Sequence, residues 1–253
     1  MIETKLSVNL NKVALLRNQR DVSYPSVLEM ARLVVAAGAH GLTVHPRPDE
    51  RHIRRSDVPA LAALIASDLP AGIEFNIEGY PTADFIALVQ ETRPDQVTLV
   101  PDAPDQRTSD HGWDLVEQKS YLREIITELK GSGARVCLFM DPLPGDMAKA
   151  AGAGADRIEL YTGPYAEAFE TEDAALLLRR YAESAEAASA AGLGVNAGHD
   201  LNLDNLPDFR RALPDLAEVS IGHAITADAL RIGFAAAVEA YLRALRPLSI
   251  ALG

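Results

Sequence analysis

Residues 43–55 read TVHPRPDERHIRR. A short apolar run, Gly41 to Val44, stops at His45. It then turns into two prolines, four arginines, two acids and a second histidine, His52. Imidazole gives and takes protons near neutral pH, and guanidinium binds carboxylate or phosphate through a planar fork of donors. The segment therefore joins acid–base chemistry to anion binding. Glu74 in GIEFNI and Glu159 in RIELYT place carboxylates inside apolar runs. Burial there raises a carboxyl toward the range of a general base, unless a buried ion pair takes it up. His199 in NAGHD and His223 in SIGHAIT follow small residues that let backbone approach a ligand. His45, Glu74 and His199 make a conceivable metal triad, but H-x-H, H-E-x-x-H and cysteine ligand sets are all absent, so no metal is expected.

These residues must be positioned by regular elements, and the chain supplies a repeating pattern. Short apolar runs span 5–10, 41–45, 72–77, 96–101, 135–140, 157–162, 193–198 and 218–223. Most are continuous, as in parallel strands covered on both faces. Helical patterns lie between them. One opens at Ser26 with Glu29 in capping-box spacing and closes at Gly38. Others cover 56–69 from a cap at Ser56, 82–93 from Thr82 to Pro94, 117–131, 145–156, 171–192 and 202–213. The last, 226–245, sets Leu230, Phe234, Val238 and Tyr241 on one stripe. Eight strands alternating with eight helices predict α/β architecture, a single (β/α)8 TIM barrel over residues 1–253. An open doubly wound sheet is the rival, but no G-x-G-x-x-G follows the first strand.

Such barrels carry their active sites at the C-terminal strand ends. That filter selects Asn9, Asn11 and Lys12, then His45 and Arg47. Strand 3 offers Glu74, Asn76 and Glu78, of which Glu74 is the predicted base. The loop DAPDQRTSDHG follows strand 4, and the remaining ends give Asp141, Glu159, Thr162, Asn196, His199, Ser220 and His223. An apolar barrel has no structural reason to gather imidazoles and carboxylates at one end. The last two strand ends also suit a phosphate held on backbone amides and a helix N-terminus.

Composition narrows the partners. The 253 residues are 48% hydrophobic and 24% charged, with a net charge of −12. That charge argues against nucleic acid and anionic membranes. A small anion needs only a local cationic pocket, and Arg17, Arg20, Arg47, Arg51, Arg54 and Arg55 crowd the first 55 residues. No apolar run approaches the ~20 residues of a membrane span. The segment from Met1 to Lys5 lacks the features of a signal peptide. The single cysteine, Cys137, excludes an internal disulfide and reads as a buried inert thiol, which fits a cytoplasmic protein.

Six segments, in order, carry a resemblance: VNLNKVALLRNQR, GLTVHPRPDERHIR, VTLVP, IELYTGPYA, GLGVNAGHDLNLDN and SIGHAI. The chain resembles the pyridoxine 5'-phosphate synthase family over nearly its whole length, most specifically in TVHPRPDERHI and VNAGH. The resemblance implies a barrel with extra helices, assembled as a cytoplasmic homo-octamer and using neither metal nor organic cofactor. It implies condensation of 1-deoxy-D-xylulose 5-phosphate with 3-amino-2-oxopropyl phosphate, giving pyridoxine 5'-phosphate, phosphate and water. Carried over by motif, His45 and Glu74 are general bases, His199 the general acid and Glu159 a transition-state stabiliser. Asn9, Arg20, Asp200, Gly222 and His223 hold the aminoketone phosphate, and Arg47, His52 and Thr108 the deoxyxylulose phosphate. Many members of the family carry Asp-His where this chain has Asn11-Lys12, and Gly where it has Asp200. The first pair ordinarily contacts the deoxyxylulose phosphate. Two other readings remain: a phosphosugar aldolase or epimerase using Lys12 for an imine, and a phosphometabolite-binding homologue without turnover.

Overall fold

The computed structural model describes residues 3–103, 106 and 108–246. Met1, Ile2, Pro104, Asp105, Arg107 and 247–253, including part of the loop after the fourth strand, lie outside the described residues. Eight parallel strands close a barrel in chain order. They are β1 (Lys5–Asn9), β2 (Gly41–Val44), β3 (Glu74–Gly79), β4 (Gln96–Leu99), β5 (Arg135–Met140), β6 (Arg157–Tyr161), β7 (Gly194–Gly198) and β8 (Leu216–Ile221). Helices α1 (Asn11–Arg17) and α2 (Val27–Ala36) follow β1. Then come α3 (Asp57–Ser67), α4 (Ala83–Thr92), α5 (Lys119–Lys130) and α6 (Pro144–Ala153). After β6 stand α7 (Gly163–Ala168) and α8 (Ala174–Ala190), after β7 α9 (Leu206–Ala212), and after β8 α10 (His223–Ile232) and α11 (Phe234–Ala244). The expected (β/α)8 barrel is therefore present, with additional helices after β1, β6 and β8.

The strands alternate, and the alternation decides what the barrel contains. Leu6, Val8, Leu42, Val44, Phe75, Ile77, Val97 and Leu99 join the apolar core between sheet and helices. The intervening residues face one another inside the barrel. Ser7 Oγ lies 2.7 Å from Thr43 Oγ1, Asn76 Nδ2 donates to Thr43 Oγ1 at 3.3 Å, and Thr98 Oγ1 donates to Asn76 Oδ1 at 3.1 Å. The lumen is thus largely polar, with Cys137 and Phe139 of β5 as apolar members, contrary to the apolar interior expected from the sequence. Each fully buried Leu or Val contributes roughly 1.5–3 kcal/mol, and those side chains point outward to the helices.

Helix ends follow local chemistry in most places. Ser26 Oγ accepts from Glu29 N and Thr82 Oγ1 from Phe85 N, both at 3.2 Å. Ser56 does not cap α3. It adopts helical backbone, and Asp57 takes up the adjoining chain, accepting from Arg54 N at 2.8 Å. The single helix expected over 226–245 is broken at Gly233, whose φ of 85° lies in the left-handed region. The apolar stripe accordingly does not exist: Leu230 is exposed while Val238 and Tyr241 are buried.

β3 begins two residues later than the apolar run suggests. Glu74 is therefore the first residue of its strand, at the N-terminal mouth of the barrel, and Glu78 lies near the C-terminal mouth. At the base, Glu74 Oε1 meets Arg135 Nη2 at 2.6 Å in a contact too bent for a hydrogen bond. Arg157 Nη1 donates to Asn196 Oδ1 at 3.0 Å and approaches Glu218 at 3.9 Å. Gln96 Oε1 accepts from Arg135 Nε at 3.1 Å. Burial alone raises Glu74, but the Arg135 and Arg157 guanidiniums overcome it and hold the carboxyl below its ordinary range. Glu218, buried and beside the charge of Glu74, is pushed up to about 8. Its folded value lies above the ordinary 4.5, so its contribution to stability is full below that pH and is lost as pH rises through about 8. Glu218→Gln is expected to flatten the fall in melting temperature between about pH 5 and pH 8. Thermal melts across that range check this, and a slope equal to the parent's would contradict it.

Candidate active site

A cavity of about 590 Å³ opens at the C-terminal ends of the strands. Its first wall is built where β1 turns directly into α1. Asn11 N donates to Asn9 Oδ1, and Asn11 Oδ1 accepts from His45 N, both at 2.9 Å. This two-bond chain fixes the ends of β1 and β2 to each other, and the first turn of α1 brings Lys12 to the cavity. His45 is 6% exposed. Burial, then the charges of Arg47, His52 and Arg51, hold its pKa well below the usual imidazole value. At neutral pH the ring is an acceptor of protons.

His52 is set by its own backbone. Ile53 N donates to its Nδ1 at 2.9 Å, so the neutral ring carries its proton on Nε2. Burial and the charges of Arg47, Lys12 and Arg51 lower it to about 4. The loop is clamped from below by Arg17, whose guanidinium meets both Asp57 oxygens at 2.7 and 3.0 Å. Arg17 Nη2 and Asn18 Nδ2 also donate to the His52 carbonyl, at 3.1 and 2.7 Å. Arg47 and His52 consequently point inward.

Two carboxyls face these imidazoles. Glu78 Oε2 lies 3.9 Å from His45 Nδ1 and accepts from Asn9 Nδ2 at 3.4 Å. Burial and the nearby Asp102 charge push Glu78 up to about 8. Glu159 is raised well above the carboxylate range by burial, then by Glu78 and Glu218. Its Oε1 occupies the space over Gly198, where a Cβ would come within 2.2 Å and force the carboxyl to move. Its Oε2 is buried without a hydrogen-bond partner among the described residues. The ordinary order is inverted: at neutral pH the carboxyls hold protons and the buried imidazoles do not. Such opposed environments assign acids and bases.

The cationic side comes from Lys12, Arg47 and Arg51, beside the His223 ring and the N-terminus of α10 at Gly222. Arg47 is buried in close contact with the carboxylate of Asp102, which also accepts from Ser109 Oγ at 2.7 Å. The Gln106 carbonyl accepts from Arg47 Nη1 at 3.2 Å and Arg51 Nη1 at 2.9 Å. These bonds tie the loop after β4 to the loop after β2. Across the mouth, Thr108 Oγ1 lies 2.8 Å from His199 Nε2, and Asp200 Oδ2 lies 2.8 Å from His199 Nδ1.

The cavity thus gathers His45, His199, Glu159, Asn9, Asn11 and Lys12 of the predicted set, together with Arg47, His52, Thr108, Asp200, Gly222 and His223. Two predicted residues are not there. Glu74 sits at the opposite end of the barrel in the base ion pair, which also dismantles the His45–Glu74–His199 triad. Arg20 follows the end of α1 on an exposed segment and does not line the cavity. Asp200 reaches the cavity, but its carboxylate engages His199. The sequence reading offered Glu78 without choosing it, and it missed Asp102. The strand-end filter itself favours Glu78 once β3 is placed at its true bounds. A separate depression of about 390 Å³ lies beside α3 and α4, where Arg55 is paired with Glu91.

A closed barrel with inverted acid–base groups and cations at its C-terminal mouth defines an acid–base enzyme for small anionic molecules. The protein-family description "Pyridoxal phosphate biosynthesis protein PdxJ" matches residues 6–247, and the chain belongs to that family. It is 57% identical over 241 residues to a pyridoxine 5'-phosphate synthase of Mesorhizobium japonicum, covering 95% of this chain and 98% of the relative. It is 56% identical over 243 residues to one of Chelativorans sp., with the same coverage of both chains. Among solved structures, a tryptophan synthase structure from M. tuberculosis superposes with a TM-score of 0.64 over 97% of this chain and 93% of that one. At 14% identity that likeness shows the fold alone.

The two ends of β3 give an opposed pair of expectations. Glu78→Gln should lower turnover by on the order of 10²–10⁴, the range of a positioned acid–base group. Glu74→Gln should chiefly lower the melting temperature. Product assays and thermal melts on both variants check this, and an equal loss of turnover in the two would contradict it.

Proposed function

We propose that the chain is a pyridoxine 5'-phosphate synthase that joins 1-deoxy-D-xylulose 5-phosphate to 3-amino-2-oxopropyl phosphate. The observation that carries this reading is the inverted proton inventory, His45 against Glu78 and Glu159, beside Lys12, Arg47 and Arg51 in one cavity. Family membership supports it independently.

In this reading the amine of the aminoketone adds to the ketone of the deoxyxylulose phosphate. The resulting hydroxyl leaves as water only if a donor protonates it, and a carboxyl that keeps its proton at neutral pH can do so. Later steps remove protons beside carbonyl or imine carbons and eliminate phosphate. His45, unprotonated and 3.9 Å from Glu78, is the general base. Glu78 takes the place expected for Glu74. His199 is the general acid, and Glu159 stabilises charge that develops between them. Arg47, His52 and Thr108, with Asn11 and Lys12, receive the deoxyxylulose phosphate. Asn9, Gly222 and His223 receive the other phosphate at the start of α10. A guanidinium balanced by Asp102 offers directed donors without a large free charge. The cytoplasmic homo-octamer implied by the resemblance belongs to the same proposal, and exposed Leu16, Val22 and Tyr24 supply apolar surface for subunit contact.

The test is to incubate purified protein with both substrates and follow pyridoxine 5'-phosphate and inorganic phosphate together. Equal amounts of both are expected. Borohydride trapping of a sugar phosphate on Lys12, without pyridoxine 5'-phosphate, would overturn the reading in favour of an imine aldolase.

A further inference from the structure

His199 and Asp200 are adjacent in sequence, yet their side chains reach each other. The backbone that carries them is unusual. His199 has φ 82° and Asp200 φ 58°, two successive non-glycine residues in the left-handed region. Such backbone persists only where its surroundings hold it. Here both sides of the turn are held. Thr162 binds the Gly198 carbonyl through its N at 3.1 Å and its Oγ1 at 2.7 Å, and its hydroxyl also contacts the His199 carbonyl. Buried Asn205 donates from Nδ2 to the Asp200 carbonyl at 3.2 Å, and Leu201 is fully buried.

The turn presents a ring held on three sides. Nδ1 faces Asp200 Oδ2 at 2.8 Å, Nε2 faces Thr108 Oγ1 at 2.8 Å, and the Tyr161 ring stands edge-on with centroids 5.3 Å apart. We propose that Asp200 is a positioning residue for His199: it keeps a proton on Nδ1, so that the doubly protonated ring gives its Nε2 proton to the reacting group in the cavity and is left as the neutral Nδ1-protonated form. A carboxylate accepts hydrogen bonds and donates none, so the ring must carry its hydrogen on the Asp200 side. Without that partner, neutral imidazole has no reason to leave Nε2 free. The hydrogen bond from His199 keeps Asp200 ionised, against partial burial, with help from the charges of His199, His223 and Lys12. The same carboxylate would repel a phosphate, so this role replaces the substrate contact expected from the sequence. Lys12 adds a cation to the cavity that Asp200 would otherwise make more negative.

The proposal rests on the reading of His199 as the proton donor, and its test separates the two. Full-length protein carrying 15N-histidine is studied by magic-angle-spinning NMR at alkaline pH, with the His199 signals assigned by their loss in His199→Gln. The parent is expected to show His199 protonated on Nδ1. Asp200→Gly, which suits the local φ, is expected to move the proton to Nε2. Asp200→Asn keeps an acceptor without the charge and should retain part of the Nδ1 form. In steady-state assays Asp200→Gly should lower kcat about tenfold or more, a part of the ~10²–10⁴ that a positioned acid contributes. KM for each phosphate should stay within about twofold.

A parent His199 protonated on Nε2, or an Asp200→Gly spectrum identical to the parent's, overturns the proposal. So does a lower KM with unchanged kcat, which would make Asp200 a brake on phosphate binding. A tautomer that shifts in a parent lacking all synthase turnover supports the dyad and removes the functional reading instead.

Discussion

Among the described residues four carboxyl groups share the lumen of one barrel, and their burial, reinforced by neighbouring carboxyls, is the constraint on which the rest depends. Glu74 and Glu218 lie at the base, Glu78 near the mouth, and Glu159 feels both Glu78 and Glu218. Arg135 and Arg157 stand only at the base. There they draw Glu74 into its charged form and leave Glu218 with a proton. Farther up, Asp102 takes up the nearest guanidinium, that of Arg47, and the upper carboxyls, buried and beside further acidic groups, stay neutral. The position of two arginines thus divides the lumen into a structural half and a chemically poised half.

Poise of this kind needs a rigid frame, because a carboxyl that reaches water recovers its ordinary pKa. The frame is made of bonds between strand ends. Asn11 ties α1 to His45, Arg17 and Asn18 hold the His52 carbonyl, and Gly198 leaves the space that the Glu159 carboxyl occupies. The loop after β4 closes the wall, joined to Arg47 and Arg51 on one side and to His199 on the other. Distances on the β1–β2 side of the cavity are therefore set by backbone and buried side chains, while the exposed Thr108 contributes on the His199 side.

Much of this was legible in the sequence. The alternation of eight apolar runs with helical patterns identified the barrel, and the strand-end filter located His45, Glu159 and His199. What escaped has particular physical causes. Glu74 and Glu78 differ by four residues in one strand and point the same way, so a two-residue error in the strand bounds exchanged the barrel's ends. Helices α1 and α7, of 7 and 6 residues, are too short to show a period. The polar lumen was hidden because Ser, Thr and Asn between apolar neighbours read as a continuous strand. Arg47 and Asp102 are 55 residues apart, a pairing that no local pattern encodes. The left-handed backbone at His199 and Asp200 is held by Thr162 and Asn205, contacts that no local pattern encodes.

The central claim is that the upper carboxyls keep their protons at neutral pH while His45 does not. Infrared difference spectroscopy of the full chain near neutral pH tests it directly, by comparing the protonated-carboxyl band of the parent with those of Glu78→Gln and Glu159→Gln. The account requires the band in the parent and a smaller band in each variant. A parent with no such band, or variants that leave it unchanged, would show the carboxyls to be ionised and would contradict the account.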